Sequence, residues 1–332
     1  MSKSMKTGVL GAGAWGTALA MTAARAGHEV TLWAREPELV EDMRRKRENT
    51  LYLPGHELPE GITPTNDAAD LAGHDMVLLV APAQATRAVM SAFAPYLEEN
   101  LPLVLCAKGI EQETGKFLSE VVEETAPRVR PFVLSGPSFA AEVAAGLPAA
   151  VTLAGRRLEE ARGIARALAH KGFRLYASDD LTGAQLGGAL KNVLAIACGI
   201  VDGHGLGASA RAALVTRAFA EMARFGAALG ARRETLSGLS GMGDLILTAT
   251  SPLSRNYSLG LKLGQGERLE DILKQRRAVT EGVHTAAIVA RMADERDIDM
   301  PICRAVEAIV SGRSDTQTQI ESLLARPLRD ET

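Results

Sequence analysis

The sequence predicts an α/β protein, with a doubly wound, mostly parallel sheet in its first half and an all-helical domain in its second half. In the first half, short β-rich runs alternate with helical patterns, which is typical of β-α-β units. Several of these runs are continuously apolar, as expected for parallel strands that helices cover on both faces. After about residue 179 the β-branched runs stop and only helical patterns remain.

The chain has 332 residues, and at about 100–200 residues per domain this length agrees with two domains. We place them at residues 1–183 and 184–332. Since no Gly/Ser-rich or Pro-rich linker separates them, we expect them to pack closely, with the functional site in the cleft between them. The predicted strands are residues 7–10, 29–34, 76–81, 103–107, 132–134 and 151–153, and the predicted helices of the second half are residues 181–201, 210–229 and 283–296.

The composition excludes several classes of protein. A net charge of −3 lacks the basic excess that binding to nucleic acid needs, so no nucleic-acid partner is predicted. The six histidines show no metal-like spacing, so no metal site is predicted, and no uncharged stretch is long enough to span a bilayer. Three scattered cysteines, Cys106, Cys198 and Cys303, indicate reduced thiols. We therefore expect a cytoplasmic protein without disulfides.

A glycine turn, Gly11-Ala12-Gly13-Ala14-Trp15-Gly16, follows the first predicted strand and opens a helix. In the Rossmann-type fold, Gly11 would permit the tight turn, Gly13 would let the backbone approach a pyrophosphate, and Gly16 would let the helix lie close to the strand. The helix N-terminus adds N–H donors for the anion. The turn predicts a bound dinucleotide, either nicotinamide or flavin; a glycine-rich turn without a ligand is the alternative.

Two charged residues, Arg35 and Glu36, stand at the end of the second predicted strand. An acidic residue there would accept a hydrogen bond from a ribose 2′-hydroxyl, whereas an arginine would bind a 2′-phosphate. Because both are present, the cofactor is predicted to be NADP or NAD. Two solvated loop charges are the alternative.

Polar residues follow two further predicted strands. Lys108 lies just after residues 103–107, at the sheet edge where doubly wound folds bind ligands, although a solvated loop lysine fits the position equally. The run Ser135-Gly136-Pro137-Ser138 would place Pro137 in a first helical turn, leaving the next N–H groups to bind an anion. A capped helix start without a ligand is the alternative.

The helical half contains a lysine that needs an explanation. Lys191 and Asn192 are the strong polar interruption of a long apolar helix. A lysine in such a helix usually extends its charged end to the edge of the core or forms an ion pair there. Gly187 and Gly188 lie one turn earlier and would make room on the same face for a ligand. Further on, the runs 241–244 and 254–256 supply Asp244 and a set of hydroxyl, guanidinium and amide groups, which could equally serve as caps and turns.

With these motifs the chain closely resembles the bacterial NAD(P)-dependent glycerol-3-phosphate dehydrogenases. The resemblance runs nearly from end to end, and it implies reversible interconversion of dihydroxyacetone phosphate and sn-glycerol 3-phosphate, which supplies phospholipid synthesis. It also implies that Lys191 is the proton acceptor, while the apolar second-half helices favour a homodimer. The matching runs are residues 11–17, 107–109, 135–140, 187–192, 241–245, 254–256 and 281–282.

The resemblance implies two overlapping sets of binding residues. Position 14 is alanine where many members have serine, which puts one cofactor contact in doubt. Tyr257 and Ser258 stand where members often have basic or bulky residues, so the adenine-side packing is expected to differ. The implied cofactor set, with the turn glycines Gly11, Gly13 and Gly16, is Ala14, Trp15, Arg35, Lys108, Ala140, Arg255, Val279 and Glu281. The implied substrate set is Lys108, Gly136, Ser138, Lys191, Asp244, Ser254, Arg255 and Asn256.

Two other functions remain open at this point. The β-hydroxyacid and phosphogluconate dehydrogenases share the same two-domain plan and a catalytic lysine, but act on carboxylates. A dinucleotide-sensing protein without turnover is the third hypothesis, although the polar pocket of the helical half exceeds what a sensor needs.

Overall fold

The computed structural model describes residues 4–275 and 280–327. The strands are β1 Lys6–Leu10, β2 Glu29–Trp33, β3 Ile62–Thr65, β4 Met76–Leu79, β5 Pro102–Leu105, β6 Arg130–Ser135, β7 Ala149–Gly155 and β8 Phe173–Ser178. The helices are α1 Ala14–Arg25, α2 Pro37–Lys46, α3 Thr86–Phe93, α4 Leu118–Thr125, α5 Ala140–Ala144, α6 Leu158–Leu168, α7 Leu181–Gly203, α8 Gly207–Ala228, α9 Arg233–Ser237, α10 Asp244–Ala249, α11 Arg255–Gly264, α12 Leu269–Lys274, α13 Glu281–Asp294, α14 Pro301–Val310 and α15 Thr316–Leu324.

The strands form one sheet in the order β3-β2-β1-β4-β5-β6-β7-β8. Neighbouring strands are parallel except β6 and β7, so the predicted doubly wound, mostly parallel sheet is confirmed. The strand order reverses between β1 and β4, and their carboxyl ends therefore flank the crevice in which such sheets bind ligands.

The two strands that the sequence pattern missed, β3 and β8, are the edges of the sheet. Pro64 interrupts the apolar pattern of β3, and an edge strand tolerates proline because one side of its backbone pairs with no neighbour. β8 is mostly half-exposed, with one fully buried residue, Phe173, so it lacks the continuous apolar run of a central strand.

Helix α7 is the centre of the helical half. It is long and apolar enough to cross a bilayer by length and composition, but 94% of that stretch is buried inside the protein, as in the core helix of a globular domain. Glycines let α11 lie against it: a Cβ on Gly199 would stand 2.1 Å from the Tyr257 carbonyl oxygen, and one on Gly260 would stand 2.0 Å from the Ile196 carbonyl oxygen.

The chain passes from one core to the other within the first turns of α7. Leu181 and Ala184 pack into a core cluster of the sheet half, whereas Leu186 belongs to the core of the helical half. The side chain of Asp180 accepts a hydrogen bond from the Gly183 N–H at 2.8 Å and so caps the start of the helix. The cysteines are all buried free thiols, as predicted.

Candidate active site

The glycine turn lies at the carboxyl end of β1, where the strand order reverses. Gly11 has a φ of +115°, and its N–H donates to the Trp33 carbonyl at 3.1 Å. A Cβ on Gly16 would stand 1.7 Å from the Gly11 carbonyl oxygen, so α1 can approach β1 this closely only with glycine there. By contrast, none of the described residues places an atom within 4 Å of the position that a Cβ on Gly13 would occupy.

The open side of this turn carries the features of an anion site. Gly13 caps α1 without a side-chain hydrogen bond, so the first N–H groups of the helix have no capping side chain. Within the described residues, the indole Nε1 of Trp15 is buried without a hydrogen-bond partner. Ala14 and Trp15 are the first two residues of the helix, so the turn groups the five predicted cofactor residues on one segment.

At the carboxyl end of β2, the charges of Arg35 and Glu36 are paired with each other. Glu36 Oε1 accepts from Arg35 Nη2 at 2.7 Å and from Arg35 Nε at 3.0 Å. The Arg35 side chain is 84% exposed, so this pair is easily exchanged for other partners. A carboxylate and a guanidinium group, which are complementary to a ribose hydroxyl and a 2′-phosphate respectively, therefore stand side by side at this strand end.

Two lysines from different halves of the chain share one buried carboxylate. Lys108, after β5, lies 2.6 Å from Asp244 Oδ2, and Lys191, in α7, lies 3.1 Å from Asp244 Oδ1. Lys108 Nζ also donates to the Gly136 carbonyl at 2.8 Å, and Lys191 Nζ donates to the Thr248 hydroxyl at 2.8 Å. The solvated-loop alternative for Lys108 is thus wrong, since its side chain is only 14% exposed.

Burial sets the proton affinity of this cluster. Burial lowers the pKa of Lys191 to about 8; the charges of Lys108 and Arg255 add to this effect and Asp244 opposes it. Burial alone would raise the pKa of Asp244, but the attraction of Lys108 and Lys191 prevails and holds that pKa below its usual value. The site therefore contains a fixed carboxylate and a lysine able to change its charge near neutral pH.

A chain of amide hydrogen bonds connects the two halves beside this cluster. Asn192 Nδ2 donates to the Lys108 carbonyl at 3.1 Å, and Asn256 Nδ2 donates to Asn192 Oδ1 at 2.8 Å. Asn256 Oδ1 in turn accepts from the Gly282 N–H at 3.1 Å. The Ser254 hydroxyl caps α11 by accepting from the Tyr257 N–H at 3.2 Å. The side chains of Ser254 and Asn256 thus hold the start of α11 in place, and Arg255 is the first residue of that helix.

The segment after β6 is partly as predicted. Gly136 has a φ of +153°, and a Cβ there would lie 2.8 Å from the Val151 Cα, so glycine is required. Ser138 Oγ donates to the Gly136 carbonyl at 3.2 Å. The helix that follows begins at Ala140, with Phe139 as its N-cap, so the placement of Pro137 in the first helical turn is wrong.

Glu281 forms a hydrogen bond that connects the helical half to the sheet half. It is the first residue of α13, and its Oε1 accepts from the Ala83 N–H at 3.1 Å. Within the described residues, its Oε2 is buried without a hydrogen-bond partner, and burial raises the pKa of the carboxyl group. Val279, the other cofactor residue expected near this point, lies outside the described residues.

Gly187 and Gly188 serve packing rather than a ligand, contrary to the expectation. A Cβ on Gly187 would stand 2.5 Å from the Ser240 carbonyl oxygen, and one on Gly188 would stand 2.7 Å from the Ser135 hydroxyl oxygen. The protein itself therefore fills the space that these glycines leave.

Thr248 is the site residue that the sequence reasoning missed. It accepts from Lys191 and donates to Asp244 Oδ1 at 3.2 Å. The signal was present, since Thr248 stands four residues after Asp244 and so shares its face of α10.

The fold and the site together define a dinucleotide-dependent oxidoreductase, with a glycine turn on the sheet half and a buried lysine of lowered pKa on the helical half. The family models agree: residues 6–161 match the N-terminus and residues 180–321 the C-terminus of NAD-dependent glycerol-3-phosphate dehydrogenase. The chain belongs to this family.

Relatives match over the whole length. The glycerol-3-phosphate dehydrogenase [NAD(P)+] of Parvibaculum lavamentivorans is 55% identical, covering 98% of each chain. That of Maricaulis maris is 54% identical and covers 100% of each chain. Among solved structures, the glycerol-3-phosphate dehydrogenase of Coxiella burnetii is 38% identical with a TM-score of 0.93, over 97% of this chain and 99% of that one.

Proposed function

We propose that the protein catalyses the reversible NAD(P)H-dependent reduction of dihydroxyacetone phosphate to sn-glycerol 3-phosphate, with Lys191 as the proton donor and acceptor. The observation that carries this proposal is the buried Lys191 ammonium, held by Asp244 and Thr248 with a pKa lowered to about 8. End-to-end similarity to relatives that are named for this activity supports the choice of substrate.

The residues present fit a nicotinamide dinucleotide. The open space at Gly13 suits the close approach of a pyrophosphate, and the uncapped N-terminus of α1 suits its charge. When bound, the dinucleotide exchanges a hydride with the substrate carbon. The residues proposed to hold it are Gly11, Gly13, Ala14, Trp15, Gly16, Arg35, Lys108, Ala140, Arg255, Val279 and Glu281.

In the proposed oxidation, Lys191 in its neutral form takes the proton of the C2 hydroxyl group while the C2 hydrogen leaves as hydride. The C2–O bond then becomes the double bond of the ketone. In reduction, the Lys191 ammonium returns the proton to the carbonyl oxygen. Asp244 and Thr248 hold Lys191 Nζ in place in both directions of the reaction, through an ion pair at 3.1 Å and a hydrogen bond at 2.8 Å.

The phosphate group of the substrate is proposed to lie near the start of α11. Ser254, Arg255 and Asn256 stand there, and a helix N-terminus with a guanidinium group attracts a dianion. Lys108, Gly136 and Ser138, which are joined by hydrogen bonds to the Gly136 carbonyl, are proposed to contact the substrate from the sheet half.

A spectrophotometric screen tests this function. NADH and NADPH would be supplied in turn with dihydroxyacetone phosphate, and separately with keto acids of similar size. We expect oxidation of the cofactor with dihydroxyacetone phosphate alone. Turnover with a keto acid instead would indicate the β-hydroxyacid class, and NADPH binding without any turnover would indicate a sensor.

The supply of glycerol 3-phosphate to phospholipid synthesis, a cytoplasmic location and a homodimer are part of the same proposal. The apolar helices of the second half are the ground for proposing that two chains associate. Light scattering of the purified protein tests the dimer, and a monomeric mass would reject it.

A further inference from the structure

Asn49 is fully buried although it lies in the loop between α2 and β3. A buried side-chain amide costs free energy unless its donors and acceptor are bonded, so its partners indicate why it is there. Those partners belong to the glycine turn and to the helix that follows the turn.

Both the nitrogen and the oxygen of the Asn49 side-chain amide form hydrogen bonds. Its Nδ2 donates to the Ala12 carbonyl at 2.8 Å and to the Thr17 hydroxyl at 2.8 Å. Its Oδ1 accepts from the Tyr52 N–H at 3.1 Å. Because the Ala12 carbonyl can only accept and the Tyr52 N–H can only donate, one orientation of the amide fits this environment.

This contact acts on the peptide that joins Ala12 to Gly13. The C=O and N–H of a trans peptide point in opposite directions within one plane, so holding the Ala12 carbonyl toward Asn49 aims the Gly13 N–H away from it. The next peptide is held as well, because the Gly13 carbonyl accepts from the Thr17 N–H at 2.9 Å. Beyond Gly13 the turn is open in the part of the chain that the structure describes, where no atom lies within 4 Å of a Cβ placed on Gly13.

We propose that Asn49 is a positioning residue of the dinucleotide site, which holds the Ala12–Gly13 peptide so that the Gly13 N–H faces the pyrophosphate. The inference rests on the proposed function only in requiring that the chain binds a dinucleotide. Asn49 would stabilise the bound cofactor equally in the ground state and in the transition state. It would therefore govern the affinity for the cofactor rather than the rate of the chemical step.

The test compares two variants of Asn49 by titration with ADP-ribose, which keeps the pyrophosphate and lacks the nicotinamide. Asn49→Ala removes the two donated bonds, and Asn49→Asp keeps the shape but sets a carboxylate oxygen against the Ala12 carbonyl oxygen. We expect the Kd for ADP-ribose and the KM for NADPH to rise about tenfold or more, as the loss of buried hydrogen bonds predicts. The kcat at saturating cofactor should stay unchanged.

Two variants of α1 serve as controls. Thr17→Val removes one acceptor of the Asn49 amide and should give a smaller loss of affinity. Thr22→Val removes another buried hydroxyl of the same helix, which donates to the Ala18 carbonyl at 2.9 Å, away from the turn. It should lower the melting temperature without changing the Kd for ADP-ribose.

Wild-type affinity for ADP-ribose in folded Asn49→Ala would overturn the proposal. An equal loss of affinity in Thr22→Val at the same loss of thermal stability would also overturn it, because the role of Asn49 would then be only structural. If Asn49→Asp does not fold, Asn49→Ala and Thr17→Val decide the question. A wild-type protein that binds ADP-ribose but does not reduce dihydroxyacetone phosphate would reject the proposed function and leave this test intact.

Discussion

At the scale of single residues, the proposed proton transfer depends on the environment of Lys191. A lysine in water has a pKa of about 10.4 and would be almost fully charged at neutral pH. In this protein burial lowers the pKa to about 8, and Lys108 contributes although it follows a strand of the other half. Asp244 opposes the shift while it fixes the side chain. The residue thus reaches a pKa near the working pH, which is the condition for efficient proton transfer.

Replacing Lys191 by alanine should lower kcat by about 10²–10⁴, because the group that moves the proton is lost. The affinity for NADPH, measured by fluorescence titration, should change little, since the glycine turn is distant in the chain and untouched. Lys171→Ala, at an exposed lysine, is the matched control and should keep full activity. Undiminished turnover in Lys191→Ala would remove this residue from its proposed role.

The two directions of the reaction should depend oppositely on pH. Oxidation needs the neutral amine of Lys191, so its kcat/KM should rise with pH and level off above about 8. Reduction needs the ammonium and should decline above the same value. Asp244→Asn removes a charge that raises the pKa of Lys191, so the midpoint should move to lower pH. A midpoint that stays in place or rises would contradict this assignment, as pH–rate profiles of both proteins would show.

At the scale of elements, two glycines at the start of α1 are required for different reasons. Gly16 is required for packing, whereas Gly13 is proposed to be required for binding of the cofactor. Gly16 is closely packed, since a Cβ there would stand 1.7 Å from the Gly11 carbonyl oxygen, whereas none of the described residues lies within 4 Å of a Cβ on Gly13. The backbone of Gly13 has a φ of −69°, which any residue can adopt. Among the described residues no contact therefore opposes a side chain at position 13, so the need for glycine there is assigned to the proposed ligand.

The variants Gly13→Ala and Gly16→Ala should accordingly fail in different ways. Gly16→Ala should lower the stability by about 1–3 kcal/mol or more, because the added methyl group overpacks a close contact. Gly13→Ala should melt near the wild-type temperature but bind NADPH at least about tenfold more weakly, a loss of about 1.4 kcal/mol. Thermal melts and fluorescence titration measure both. Normal NADPH affinity in Gly13→Ala would place the pyrophosphate elsewhere.

At the scale of the whole molecule, the residues of the proposed active site come from both halves of the chain. Lys108 comes from the sheet half, and Lys191 and Asp244 come from the helical half. Helix α7 packs into both cores: Leu181 contributes to the first and Leu186 to the second. A change in one half therefore reaches the geometry of the other through a rigid helix.

Because α7 belongs to both cores, we expect the halves to unfold together. Differential scanning calorimetry should give one transition whose calorimetric and van't Hoff enthalpies agree. Domains joined by a flexible linker would instead unfold independently. Two resolved transitions would show that the shared helix does not couple the halves.

From the sequence alone, the fold class and the six inner strands could be predicted, because continuous apolar runs follow directly from burial of a strand on both faces. Periods of three and four predicted three helices in the second half, where the described residues form nine. The sequence also identified the glycine turn, since steric demands at Gly11 and Gly16 are local to one segment. The edge strands β3 and β8 carried weak signals, because edges are less buried.

The contacts that each polar residue makes could be assigned only from the folded structure. Sequence left Lys108 open between a loop charge and a ligand, and only the folded chain places it 2.6 Å from Asp244, far along the sequence. Only the folded chain likewise shows that the Ser240 carbonyl fills the space beside Gly187 and that Asn49 lies against the glycine turn. Such contacts depend on how distant segments pack, and neither the composition nor the periodicity of one segment contains that information.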